Sequence, residues 1–159
     1  MRYPTFLLVS IFLLAGCGYG FGLRLPEGIE TLEVPVFSNT TLLRGLEFEL
    51  TNALSEELKS RTSAKIVSKG GDAELSGTVT AYEKIPVYES TGVIVAGRVK
   101  VAISFKLAEK GSEKALREEL LEEVQDFDTR SGIHEAEARR KAVRELARKI
   151  VYQLEAWRE

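Results

Sequence analysis

Cys17 carries the most definite chemistry in this sequence. It follows Leu14-Ala15-Gly16, at the end of an apolar run from Phe6 to Ala15, and Arg2 is the one charged residue ahead of that run. A positive start, a short apolar stretch and a small-residue exit make a secretory signal peptide. The stretch falls short of the ~20 apolar residues that a permanent membrane span requires. Ala15 and Gly16 are small enough to let a peptidase approach the backbone, and the Cys17 thiol is a nucleophile that accepts a diacylglyceryl group.

The second kind of chemistry is anion recognition. Arg98, Lys100 and Lys106 share parity in an alternating stretch, and few acids accompany them on that face. They are candidates for contact with lipid phosphate, which guanidinium and ammonium groups bind well. Arg140, Arg144 and Arg148 repeat every fourth residue, but Glu137 with Lys141 and Glu145 with Lys149 form i,i+4 pairs, so that helix face reads as a solvated mixed-charge surface. His134 is the sole imidazole and no nucleophile motif stands near it. The acids Glu118, Glu119, Glu122, Glu123, Asp126 and Asp128 lack calcium-loop spacing. With one Cys and one His there is no internal disulfide and no zinc site of the usual ligands. We expect no metal, no cofactor and no enzymatic activity. A net charge of −2 over 159 residues also argues against nucleic-acid binding.

A third feature is a candidate partner surface. Ile85, Val87, Tyr88 and Ile94 flank a turn ending at Gly92, between two runs long enough to carry it past the body of the domain. Exposed apolar clusters of this kind mark interaction sites.

The elements that position these groups follow from periodicity. Leu32, Val34 and Val36 predict a strand over Glu30–Phe37, with Pro35 at an edge or bulge. Leu46, Leu50, Ala53, Leu54 and Leu58 predict an amphipathic helix over Leu43–Ser60, and Ala64–Val67 a brief strand. From Ala73 to Ile85 strict alternation puts Ala73, Leu75, Gly77, Val79 and Ala81 on one side. From Val93 to Leu107 the odd positions are apolar. That second run would extend ~50 Å at ~3.3 Å per residue, so it bends near Gly97 or projects. Propensity favours a helix over 113–128, and a long amphipathic helix begins near His134. The glycines from Gly16 to Gly22 form a tether. They do not form a phosphate loop, which needs a strand before it and a helix after it.

Leu14-Ala15-Gly16-Cys17 looks like the lipobox of bacterial lipoproteins, and Gly18 is compatible with sorting to the outer membrane. The mature chain resembles the LPS-assembly lipoprotein family (LptE-like). The likeness rests on Cys17-Gly18-Tyr19, Leu25-Pro26 with Gly28-Ile29, and Val34-Pro35-Val36-Phe37-Ser38-Asn39. It continues in Gly45-Leu46-Glu47, Leu50-Thr51, Leu75-Ser76-Gly77 and Arg140-Lys141-Ala142. The resemblance implies a single α+β domain, a mostly antiparallel sheet with two amphipathic helices packed on one face, and a strand at Ala115–Val124 despite its helical composition. Residues 1–16 are then the signal peptide, 17–28 the lipidated N-terminus and tether, and 29–159 the domain. The implied partners are an outer-membrane LPS translocon β-barrel, which the protein plugs and helps to assemble, and lipopolysaccharide itself. The implied location is the periplasmic side of the outer membrane, held by the lipid on Cys17. A different class of function fits the same pattern: a scaffold or activator lipoprotein for a cell-wall synthase or secretion complex.

Overall fold

Two long alternating runs form the centre of the sheet. A computed structural model describes Leu25, residues 28–112 and residues 114–155; Cys17 and the signal segment lie outside these described residues. In chain order the strands are β1 (Thr31–Glu33), β2 (Ser38–Asn39), β3 (Lys65–Val67), β4 (Ala73–Ser90), β5 (Val93–Glu109) and β6 (Ala115–Asp128). The helices are α1 (Leu46–Arg61) and α2 (Glu135–Glu155). Strands β4 and β5 pair antiparallel along nearly their whole length, from Ala73 opposite Glu109 to Ser90 opposite Val93. A two-residue turn joins them, with positive φ at both Thr91 and Gly92, the backbone a tight hairpin of twisted strands requires.

Strand β6 adds antiparallel to β5, while β1 and β2 add parallel to β4 and β3 adds parallel to β1. The resulting order is β3-β1-β4-β5-β6, with β2 beside β4. Both helices cover one face. Val99, Val101, Ile103, Phe105 and Leu107 of β5 meet Leu46, Leu50, Leu54 and Leu58 of α1, and Val143, Leu146, Ile150 and Leu154 of α2, in one buried cluster. The fold is a single α+β domain with a mostly antiparallel sheet and two helices on one side.

Three local departures from the periodicity have physical causes. The run Glu30–Phe37 is not one strand: pairing stops after Glu33, and β2 starts at Ser38. Pro35 has no N–H to donate to a ladder, and the Phe37 N–H instead donates to Thr51 Oγ1 of α1 at 3.0 Å. That detour slides the Phe37 ring beneath Gly77, where a Cβ would lie 2.5 Å from it. Second, Ala81 does not share the face of Val79. A bulge between them at Thr80 advances the register, so Tyr82 and Lys84 turn toward the helices and Ala81 and Glu83 toward the open side. Third, residues 115–128 form a strand, as the resemblance implied and helix propensity did not. Leu121 and Phe127 reach the core side. Two polar groups on that side find partners on α2: Lys149 Nζ lies 2.6 Å from Glu123, and Arg117 bonds Gln153 at 2.7 Å. Tertiary partners outweigh local preference here.

Candidate functional site

Beyond the Thr80 bulge, β4 and the facing part of β5 form an arm whose outer residues, 83–93, are all exposed. The Phe127 ring closes the base of the arm. It packs against Gly97, where a Cβ would come within 2.9 Å of the ring and 2.6 Å of the Ile85 carbonyl. Further out, Arg130 stacks over the Tyr88 ring at 5.1 Å, a cation–π distance. The guanidinium is held in place by paired bonds of 3.1 and 2.9 Å to Asp128. The Thr129 hydroxyl bonds the Val95 carbonyl at 3.0 Å.

The residues expected at the tip do not form one surface. Val87 sits at a second register shift of β4 and is 63% exposed, and Tyr88 is half covered by Arg130. Ile85 points to the open face, opposite Arg98. Ile94 is half-buried and packs against the core, whereas its neighbour Val93 is 62% exposed. The outward apolar pair is therefore Val87 and Val93.

The uncovered sheet face carries the three cations. Arg98 and Lys100 lie side by side near the base of the arm, and Lys106 is ~20 Å further along β5 at ~3.3 Å per residue. None of them stands alone. Arg98 lies 3.7 Å from Asp126, and Lys100 Nζ lies 2.9 Å from Glu83. The contact with Glu83 raises the Lys100 pKa above its ordinary value. Lys106 borders a shallow depression of about 290 Å³ that also takes in Ser38, Ser76, Thr78, Ser104 and Glu118. A feature not anticipated from the sequence lies on the same face. Leu120, 70% exposed, and Val124 project from β6 between Glu118, Glu122 and Asp126. Alternation within β6 carried that signal, but its helical composition hid it.

The long free edges are protected against strand addition. Pro86 interrupts the outer part of β4, and Lys149 Nζ bonds the Glu122 carbonyl of β6 at 2.8 Å. His134 is exposed at the start of α2, where its carbonyl accepts the N–H of Ala138 at 3.1 Å. Among the described residues no group of three His, Cys, Asp or Glu is placed to hold a metal ion. No helix among them is long and apolar enough to cross a membrane.

A second feature also went unforeseen. The loop after β2 is built around Asn39, whose side chain accepts from Thr41 N at 2.9 Å and donates to the Leu43 carbonyl at 2.8 Å and to Glu47 at 2.6 Å. This explains an asparagine closing the Val-Pro-Val-Phe-Ser-Asn run. The loop leaves Leu42 fully exposed, and nothing in the spacing of the sequence distinguishes Leu42 from the half-buried Leu43 beside it.

Several carboxylates in these contacts are held below their ordinary pKa. Glu135 is lowered by its bonds from Lys84 and Tyr82, Asp72 by bonds from Thr31 and Glu30, and Asp128 by Arg130. A depressed folded-state pKa contributes stability that is complete above the unfolded value and is lost as pH falls through the folded one. For Glu135 that window lies below 4.5. Thermal melting should therefore change little from about pH 7 to about pH 5 and fall steeply below pH 4.5. Glu135→Gln should show a smaller fall. A melting temperature that declines evenly across the whole range would contradict this assignment.

The overall fold is similar to solved structures that include several bacterial lipoproteins. A protein from Xanthomonas campestris matches with a TM-score of 0.60 at 13% identity, covering 86% of this chain and 88% of that one. A lipoprotein from Nitrosomonas europaea matches at 0.52 and 16%, covering 86% and 92%, and one from Neisseria meningitidis at 0.52 and 14%, covering 78% and 96%. At these identities the likeness is one of fold. No curated protein matches in sequence. The LptE lipopolysaccharide-assembly family model matches residues 29–154, and the chain belongs to that family.

Proposed function

We propose that this protein is a non-enzymatic lipoprotein anchored through Cys17 on the periplasmic side of the outer membrane. There it plugs and helps to assemble the barrel of the lipopolysaccharide translocon and takes part in delivering lipopolysaccharide to the surface. The observation that carries this reading is the family match across nearly the whole domain, residues 29–154. The bare sheet face supports it, because barrel lumens are polar and this face presents Thr78, Ser104, Arg98 and Lys100. Leu120 and Val124 give it an apolar margin at the β6 edge. The arm supplies the element that reaches the barrel. Co-purification from detergent-extracted outer membranes tests the reading. An outer-membrane translocon barrel is expected; recovery of a cell-wall synthase or secretion complex in its place would favour a scaffold function.

Lipopolysaccharide contact is assigned to Arg98, Lys100 and Lys106. Since Asp126 and Glu83 already hold two of these cations, phosphate would have to exchange with a carboxylate. Arg98→Gln with Lys100→Gln should weaken lipopolysaccharide binding by about tenfold, the scale of one or two charge-assisted bonds. The same changes should move the melting point little, because exposed pairs contribute little to folding. Equal binding by variant and parent would return these residues to ordinary surface charge.

A further inference from the structure

We propose that Glu135 is a positioning residue that clasps the β4–β5 arm and sets the direction in which it leaves the domain. This inference rests on the reading of the arm as the docking element. Glu135 is the first residue of α2, at the end of the helix where the dipole favours a carboxylate. Its two oxygens are divided between two residues of the arm: the Tyr82 hydroxyl donates to Oε1, and Lys84 Nζ lies 2.6 Å from Oε2. The Thr80 bulge makes this possible. In unbroken register Ala81 and Glu83 would face the helices, and a second carboxylate would meet Glu135 where Lys84 now does. Bulges commonly re-aim side chains in this way.

The clasp is fixed to both helices. One turn along α2, Arg139 bonds Glu49 of α1 at 2.9 and 3.3 Å. Past Lys84 the residues of β4 are exposed, and among the described residues Glu135 makes the outermost hydrogen bond or ion pair from the helices to that strand. On the other side the arm is held by Arg130 against Tyr88 and by Thr129 against the Val95 carbonyl. Opening the clasp therefore frees the arm on its helix-facing side alone.

Hydrogen–deuterium exchange on the full-length protein in detergent micelles tests the proposal, followed by capture of the barrel. Glu135→Ala should raise exchange of amides 82–85, 87 and 88 about tenfold, the scale of losing charge-assisted bonds at a partly exposed site. Amides 99–107 in the sheet core should keep the parent rate. Tyr82→Phe with Lys84→Met should give the same local pattern, and adding Glu135→Ala to that pair should add nothing. Glu135→Gln, which keeps an acceptor for Tyr82 and loses the charge facing Lys84, should fall between. Unchanged exchange in the arm, or an equal rise across arm and core, would overturn the clasp. A mobile arm in a variant that still captures the barrel at parental yield would leave the clasp standing and would overturn the docking reading of the arm.

Discussion

Cys17→Ala should abolish lipidation completely. The thiol is the nucleophile for the diacylglyceryl group, and alanine has nothing to offer in its place. In the proposed reading the acyl chains on Cys17 supply the membrane attachment. Each buried methylene contributes ~0.8 kcal/mol, and two or more chains together give stable anchoring where one is marginal. Membrane fractionation alone would mislead, because a bound barrel could retain an unlipidated protein in the membrane fraction. Intact mass settles the matter. The parent should carry the mass of its acyl chains, and the variant should carry none and keep its signal peptide. A parent protein cleaved before Cys17 without acyl mass would refute the anchor.

Much of the fold was legible because its strongest patterns are local. The odd residues of β5 from Val99 to Leu107 and the Leu46–Leu58 stripe of α1 carry their burial in their spacing, and they form much of the core. What was hidden depended on distant partners. Residues 115–128 are rich in Glu and Leu and favour a helix by themselves; they become a strand because β5 offers a complete edge and Lys149, Gln153 and Phe127 settle the inward positions. The face change at Thr80 left no composition signal at all. It can be understood only once Glu135 is seen opposite Tyr82 and Lys84. Among the site residues, parity placed Arg98 and Lys100 correctly on the open face, while the acids that pair with them came from other strands. The one-residue difference between Ile94 and Val93 turned on the Tyr88–Glu89 register shift, which alternation could not foretell.

That last difference makes the arm testable. Val87→Asp with Val93→Asp should abolish capture of the barrel while the isolated domain melts as the parent does. Both side chains are mostly exposed, at 63% and 62%, and surface substitutions usually shift folding by no more than about 0.5 kcal/mol. Burying a valine against a partner is favourable by about 1.5–3 kcal/mol. Losing two such contacts amounts to about 3–6 kcal/mol, or 10²–10⁴-fold in affinity, before the added cost of desolvating two carboxylates. Ile94→Asp is the matched control. Ile94 packs inward, so a charge there should lower the melting temperature directly. If the double variant lost its cooperative transition, the tip would be part of the core and the surface assignment would fall. If it folded and captured the barrel undiminished, the arm would not be the docking element, and contact would have to be made through the open face around Lys100 and Leu120.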